Sequence, residues 1–232
     1  MVRTGRLIGR QQVNARLDSN VVIPSDAATP YAVPRLVPAL NIAAKVVMVL
    51  LLMSALIDAG SVNLEGKAAS ARAVSYPLLA FALPTYWYLN RRDRPYPWVV
   101  DLMITIPCFS DLLGNRMNLY DDIWWFDDLL HFVNTGLLAG AVVLLTKRPT
   151  TPLMETIERG LVTGVTAALI WEIGEYFAFL NKYSATGAPY ADTLADMALG
   201  ATGSVLAAIL IHRMWQREYE DPVELTADVS VR

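Results

Sequence analysis

Six stretches of this sequence, roughly residues 37–59, 73–90, 97–115, 128–146, 156–180 and 192–213, are apolar over the length that a bilayer demands. A helix must run for about 20 residues to cross a hydrocarbon core about 30 Å thick. The second stretch is short and holds Pro77 and Pro84. Composition agrees with the pattern: 54% of residues are hydrophobic and only 18% are charged, with a mean hydropathy of +0.36. Soluble domains carry about a quarter charged residues. The sequence therefore reads as an all-α, polytopic integral membrane protein with about six transmembrane helices.

The flanks are polar. Residues 1–34, with Pro24, Pro30 and Pro34, read as a disordered cytoplasmic arm, residues 35–215 as the transmembrane domain, and residues 216–232 as a cytoplasmic tail. The first apolar run begins too late for a cleavable signal peptide. Lysine and arginine favour cytoplasmic loops. Fourteen lie in the N-terminal arm, the 90–97 and 147–159 loops and the C-terminal end, against four (Lys67, Arg72, Arg116 and Lys182) in the alternate loops. That bias places both termini in the cytoplasm and the chain in an inner (plasma) membrane. A net charge of −3 argues against nucleic acid as a partner, and a single cysteine, Cys108, excludes an intramolecular disulfide or a cysteine metal cluster.

On this topology the acids collect at one end. Asp58 and Asp111 close the first and third spans on the outer side. Asp127, Asp128 and His131 open the fourth, Glu172 and Glu175 lie in the outer half of the fifth, and Asp192 and Asp196 open the sixth. Asp127 with His131, and Asp192 with Asp196, are spaced i,i+4, and Glu172 with Glu175 i,i+3, so each pair shares a helix face. His131 and Asp196 each sit about 6 Å deeper than their partners. An ionised side chain near a bilayer centre costs about 2.5–3.5 kcal/mol, so several unpaired carboxylates together must protonate, hydrate or hold a cation. Oxygen ligands suit Mg, Ca or Mn, and an added imidazole extends the choice to Zn or Fe.

Simpler roles compete for these residues. Asp127 and Asp128 suit a helix N-cap and a first helical turn. His131 suits a hydrogen-bonded core, and Trp124, Trp125 and Phe126 suit an interfacial aromatic belt. Glu172 and Glu175 lie well inside an apolar helix, where no cap is needed. Gly136 with Gly140, Gly160 with Gly164, and Gly200, Gly203 and Ser204 form small-residue stripes that let helices approach closely. The last three spans are accordingly expected to pack together, bringing His131, Glu172, Glu175, Asp192 and Asp196 to one place.

The stretch FDDLLHFVNTGLLAG resembles the VanZ-like bacterial membrane proteins, whose signature carries D-x-x-x-H-F at a helix start, matched here by Asp127, His131 and Phe132. Glu172 matches the start of that family's E-x-x-Q element, with Glu175 replacing glutamine. Asp192 and Gly200 match its D-x-x-x-N-x-x-x-G element, with Asp196 replacing asparagine. These differences, seen as WEIGEY and DTLADM, make the chain more similar to the related YjdF-like inner-membrane group over about residues 100–205. The resemblance implies a membrane bundle with the same polar positions and leaves its chemistry open.

The residues lead to a carboxylate–histidine site for a divalent metal (Zn, Mn, Mg or Fe) open to the extracytoplasmic side. Its ligands would be His131, Glu172, Glu175, Asp192 and Asp196, with Asp127 orienting the imidazole or joining them. Asp111 and Tyr176 are candidates for proton transfer. A metal there would activate water or polarise a phosphoryl or acyl oxygen of a lipid or lipid-linked envelope substrate. Two alternatives use the same acids: a proton- or cation-coupled transporter, and a structural membrane protein with a hydrogen-bonded acid cluster.

Overall fold

The computed structural model describes residues 33–179 and 188–220. The proposed N-terminal arm, Lys182 and the end of the C-terminal tail lie outside the described residues, save for the arm's last two. Among the described residues the chain is all helical. Its helices are α1 (Leu36–Ile57), α2 (Ala69–Asn90), α3 (Trp98–Arg116), the short α4 (Leu119–Asp122), α5 (Phe126–Thr146), α6 (Leu153–Phe179) and α7 (Ala188–Glu220). A 3-10 turn at Ala59–Val62 follows α1, its start capped by Asp58, whose carboxylate accepts from Gly60 N–H at 3.0 Å.

Every expected apolar stretch lies mainly within one helix. Among the described residues three helical segments, Leu36–Ile57, Phe126–Thr146 and Tyr190–Arg217, are long and apolar enough to cross a membrane. The helix α2 runs unbroken through Pro77 and Pro84, although each proline removes a donor to the carbonyl four residues earlier. At its far end α7 continues to Glu220, past the expected limit of the last span at residue 213.

The helices α5, α6 and α7 pack on one another, as their glycine stripes predict. A β-carbon at Gly136 would lie 2.9 Å from the Gly203 carbonyl oxygen, and one at Gly160 would lie 2.9 Å from Ala208 Cβ. Only hydrogen fits at those positions, so α5–α7 and α6–α7 meet almost backbone to backbone. A second layer forms where α1 packs on α2 and α3, around Met48, Leu52, Tyr76 and Leu112. The helix α3 also packs on α5 and so joins the two groups. The outward faces of α1 and α2 expose Val46, Leu50, Leu78 and Leu89, an arrangement suited to lipid rather than water.

Candidate functional site

The glycine contacts bring α5, α6 and α7 close enough for three side chains to meet. His131, buried on α5, points its two ring nitrogens at different helices. Nδ1 lies 3.9 Å from Glu172 Oε1 on α6, and Nε2 lies 3.8 Å from Asp196 Oδ2 on α7. One turn earlier on α5, Asp127 Oδ1 lies 3.5 Å from Nε2. Glu172 is 7% exposed and Asp196 2% exposed. Neither Glu172 Oε1 nor Asp196 Oδ1 has a hydrogen-bond partner among the described residues.

Those separations exceed the length of a good N–H···O hydrogen bond, about 2.7–3.2 Å. They do suit two overlapping groups of ligand atoms that share His131. One ligand atom each from Asp127, His131 and Asp196 lie within 4.8 Å of one another, as do one each from His131, Glu172 and Glu175. Ligands on opposite sides of a cation are about 4–5 Å apart, twice a metal–ligand distance. His131 belongs to both groups and is their hinge.

Not every expected residue joins them. Asp192 is exposed and belongs to neither set of converging atoms. Tyr176, one turn beyond Glu172, is 56% exposed and packs edge-on against Phe177 instead of facing His131. Asp127 and Asp128 lie in the first turn of α5 but cap nothing, because the cap position is Trp125 and no side-chain bond closes it. The N-cap reading is therefore corrected, while two acids in a first turn still complement the helix dipole. Of the expected aromatic belt, Trp124 and Trp125 are exposed. Phe126 instead turns inward, its ring 5.0 Å from that of Tyr120.

Asp111 has a different setting. Its carboxylate is buried and receives Arg72 Nε at 2.9 Å, Tyr76 Oη at 2.5 Å and Tyr120 Oη at 3.0 Å. Arg72 also donates to the Lys67 carbonyl. Burial, reinforced by the nearby Asp111 and Asp127 charges, pushes the Tyr120 hydroxyl far above the usual phenol range, so it remains a donor. Asp111 and His131 line the same cavity of about 100 Å³, together with Asp127, Tyr120, Asn134 and Trp171. Asp111, held by Arg72, and its partners Tyr76 and Tyr120 thus line the same space as His131.

Arg72, Tyr76 and Tyr120 were not anticipated as site residues. A lone arginine at the start of an apolar helix was the available signal, but it counted equally well as a loop charge. A second buried polar centre was also missed. Lys45 Nζ on α1 donates to Asp101 Oδ2 and Thr105 Oγ1, both at 2.8 Å, and to Asn41 Oδ1 at 3.1 Å. Asn41 Nδ2 donates to the same Asp101 oxygen at 2.5 Å. A lysine inside the most apolar span was its signal.

The family model for a group described as predicted membrane protein (DUF2238) matches residues 40–217. This chain belongs to that family. The match takes in α2 to α6 whole and most of α1 and α7, and with them both buried polar centres. No curated protein and no solved structure matches the chain. The family description and the three long apolar helices together make this a membrane protein with helical membrane segments.

Proposed function

We propose that this member of the DUF2238 family crosses an inner membrane six times, with both termini cytoplasmic, and binds a divalent cation through His131, Asp127, Glu172, Glu175 and Asp196. The observation that carries the reading is the pair of buried, unpartnered carboxylate oxygens, Glu172 Oε1 and Asp196 Oδ1, beside one imidazole. Buried polar atoms almost always have a partner, and surplus carboxylates in an apolar surround need a positive charge. One histidine supplies at most one such charge. A divalent cation among these oxygens and the imidazole supplies two and takes up the vacant lone pairs.

Asp192, at the exposed end of α7, then lies outside the ligand set and serves the approach to it. The cavity shared by His131 and Asp111 would hold the reacting group of a lipid or lipid-linked envelope substrate. In that arrangement the cation polarises a phosphoryl or acyl oxygen or activates water. Tyr120, held neutral beside Asp111, is better placed than Tyr176 to pass a proton. The likeness to the YjdF-like group through WEIGEY and DTLADM supports the same set of positions.

Elemental analysis of detergent-purified protein tests the reading. Wild type is expected to hold close to one equivalent of a divalent metal, with Glu172→Ala and His131→Ala holding none while still folded. A metal-free wild type that takes up no metal on titration defeats it.

Cation or proton transport is the second reading, and one observation favours it. The Lys45–Asp101 pair joins α1 to α3 at a point ten residues before Asp111, about 15 Å along α3. Polar groups thereby reach toward the opposite end of the bundle from the His131 cluster. Proteoliposomes loaded with a pH- or metal-sensitive dye decide it: transport requires flux that Asp101→Asn removes.

A further inference from the structure

At the arginine-rich end of the bundle, far along α3 from His131, a cleft of about 550 Å³ opens between α1, α2 and the start of α3. Its floor is the Lys45–Asp101 centre. Lys45 is fully engaged there, its three donors taken by Asn41, Asp101 and Thr105. Two polar atoms of the lining, Asp101 Oδ1 and the Tyr96 hydroxyl, are buried without a well-formed hydrogen bond among the described residues, although Tyr96 and Asp101 lie close enough to interact with each other. Asp101 itself is 2% exposed. An acceptor and a hydroxyl at the bottom of an open cleft therefore have only each other, at poor geometry, where buried polar atoms are generally well bonded.

The rim is cationic and fixed. Arg92 donates through Nε to the Tyr88 carbonyl at 2.6 Å, and its guanidinium stacks 3.7 Å above the Tyr88 ring. The Arg94 carbonyl accepts from Trp87 Nε1 at 3.1 Å, which anchors the loop that carries Arg94. The walls are apolar, and Ile42, Phe81 and Tyr88 are exposed on the outer face of α1 and α2. The cleft therefore joins a cationic mouth to a surface suited to acyl chains.

We propose that this cleft binds the head group of an anionic membrane phospholipid whose phosphodiester carries a hydroxyl-bearing head. The phosphate sits between Arg92 and Arg94, the head-group hydroxyl donates to Asp101 Oδ1 and bonds the Tyr96 hydroxyl, and an acyl chain runs out past Phe81 and Ile42. Arginine matches phosphate oxygens with a planar fork of donors, and basic pockets between membrane helices take anionic head groups. The floor chooses among lipids. An ammonium head would place its charge beside the Lys45 ammonium, which already holds the other Asp101 oxygen, whereas a hydroxyl brings a donor without charge. A choline head brings charge and no donor. The site lies at the opposite end of α3 from Asp111 and does not depend on a metal at His131.

Native mass spectrometry of the full chain in detergent, with phosphatidylglycerol, phosphatidylethanolamine or phosphatidylcholine added in turn, tests the proposal. Wild type is expected to retain one phosphatidylglycerol roughly thirtyfold more strongly than phosphatidylcholine, the factor that two surface arginines supply against an anionic lipid. The advantage should shrink as salt is raised and disappear in the exposed-loop variant Arg92→Gln/Arg94→Gln. Equal retention of the three lipids by wild type overturns the proposal, as does a double variant that still prefers phosphatidylglycerol. Displacement of the lipid by millimolar glycerol 1-phosphate also overturns it, because the occupant would then be a soluble phosphate ester.

Discussion

His131 Nδ1 and Glu172 Oε1 face each other across the α5–α6 interface at 3.9 Å, too far apart for a hydrogen bond, and the glutamate oxygen has no other partner among the described residues. Two buried polar atoms held near each other without bonding mark a place prepared for a third. Adding Zn or Mn to metal-stripped protein should raise its melting temperature, because a ligand that binds only the folded state stabilises by about 2.7 kcal/mol at a hundred times its Kd. A chelator should reverse the gain. Glu172→Gln and Asp196→Asn should abolish most of the shift and Tyr176→Phe none of it. A differential scan of the four proteins settles this, and equal shifts in all four would defeat the assignment.

The same site should lose metal as pH falls, since imidazole and carboxylates must shed their protons to ligate. Metal content measured after equilibration at a series of pH values is expected to decrease monotonically toward acid. A flat profile would mean that these side chains are not the ligands.

Lys45 and Asp101 form a buried pair whose halves are not independently dispensable. Removing one partner leaves a buried charge uncompensated, at about 3–5 kcal/mol, whereas replacing both with apolar residues is often neutral or better. Lys45→Met should therefore unfold at markedly lower denaturant, and Lys45→Met/Asp101→Leu should regain most of the loss. Additive losses in the double variant would contradict the pairing.

Tyr120 should matter through its hydroxyl alone. Tyr120→Phe keeps the ring against Phe126 and deletes a donor to a carboxylate, a bond worth about 1.5–3 kcal/mol. Chemical unfolding should show a loss of that size, and Arg72→Met a larger one. A silent Tyr120→Phe would mean that Arg72 and Tyr76 satisfy Asp111 by themselves.

Packing and chemistry are linked at Gly203, where an added β-carbon would collide with the Phe132 backbone. Gly203→Val should push α7 from α5, cost at least about 1–3 kcal/mol, and carry Asp196 away from His131. Metal affinity should fall although no ligand has changed, while Leu206→Ala on the exposed side of α7 leaves it intact. Titration calorimetry on the two variants separates the outcomes.

Much of this architecture was legible in the residues. Apolar runs near 20 residues located every long helix, and glycine spacing identified which of them pack tightest. The i,i+3 and i,i+4 rules singled out His131 with Asp127, and Glu172 with Glu175, because one helix face is a local property. The same rule paired Asp192 with Asp196, yet Asp192 is exposed, and most of the other misses were nonlocal. Lys45 meets Asp101 across 56 positions and Arg72 meets Asp111 across 39, and no spacing rule reaches that far. Tyr176 misled for a different reason. Four residues advance a helix by about 40° past a full turn, and that small rotation takes Tyr176 past the edge of the interface on which Glu172 sits.

The pairing of Lys45 with Asp101 also bears on how the chain is made. The helix α1 is long and apolar enough to cross a membrane on composition alone, whereas α3, which carries Asp101 and Asp111, is not. During synthesis α1 and α2 emerge first and bring Lys45 and Arg72 with them. When α3 follows, each of its aspartates meets a counter-charge already delivered by an earlier helix. The order of the chain thus makes the first two helices a template for inserting the third, and the segment with two buried aspartates enters only after their partners are in place.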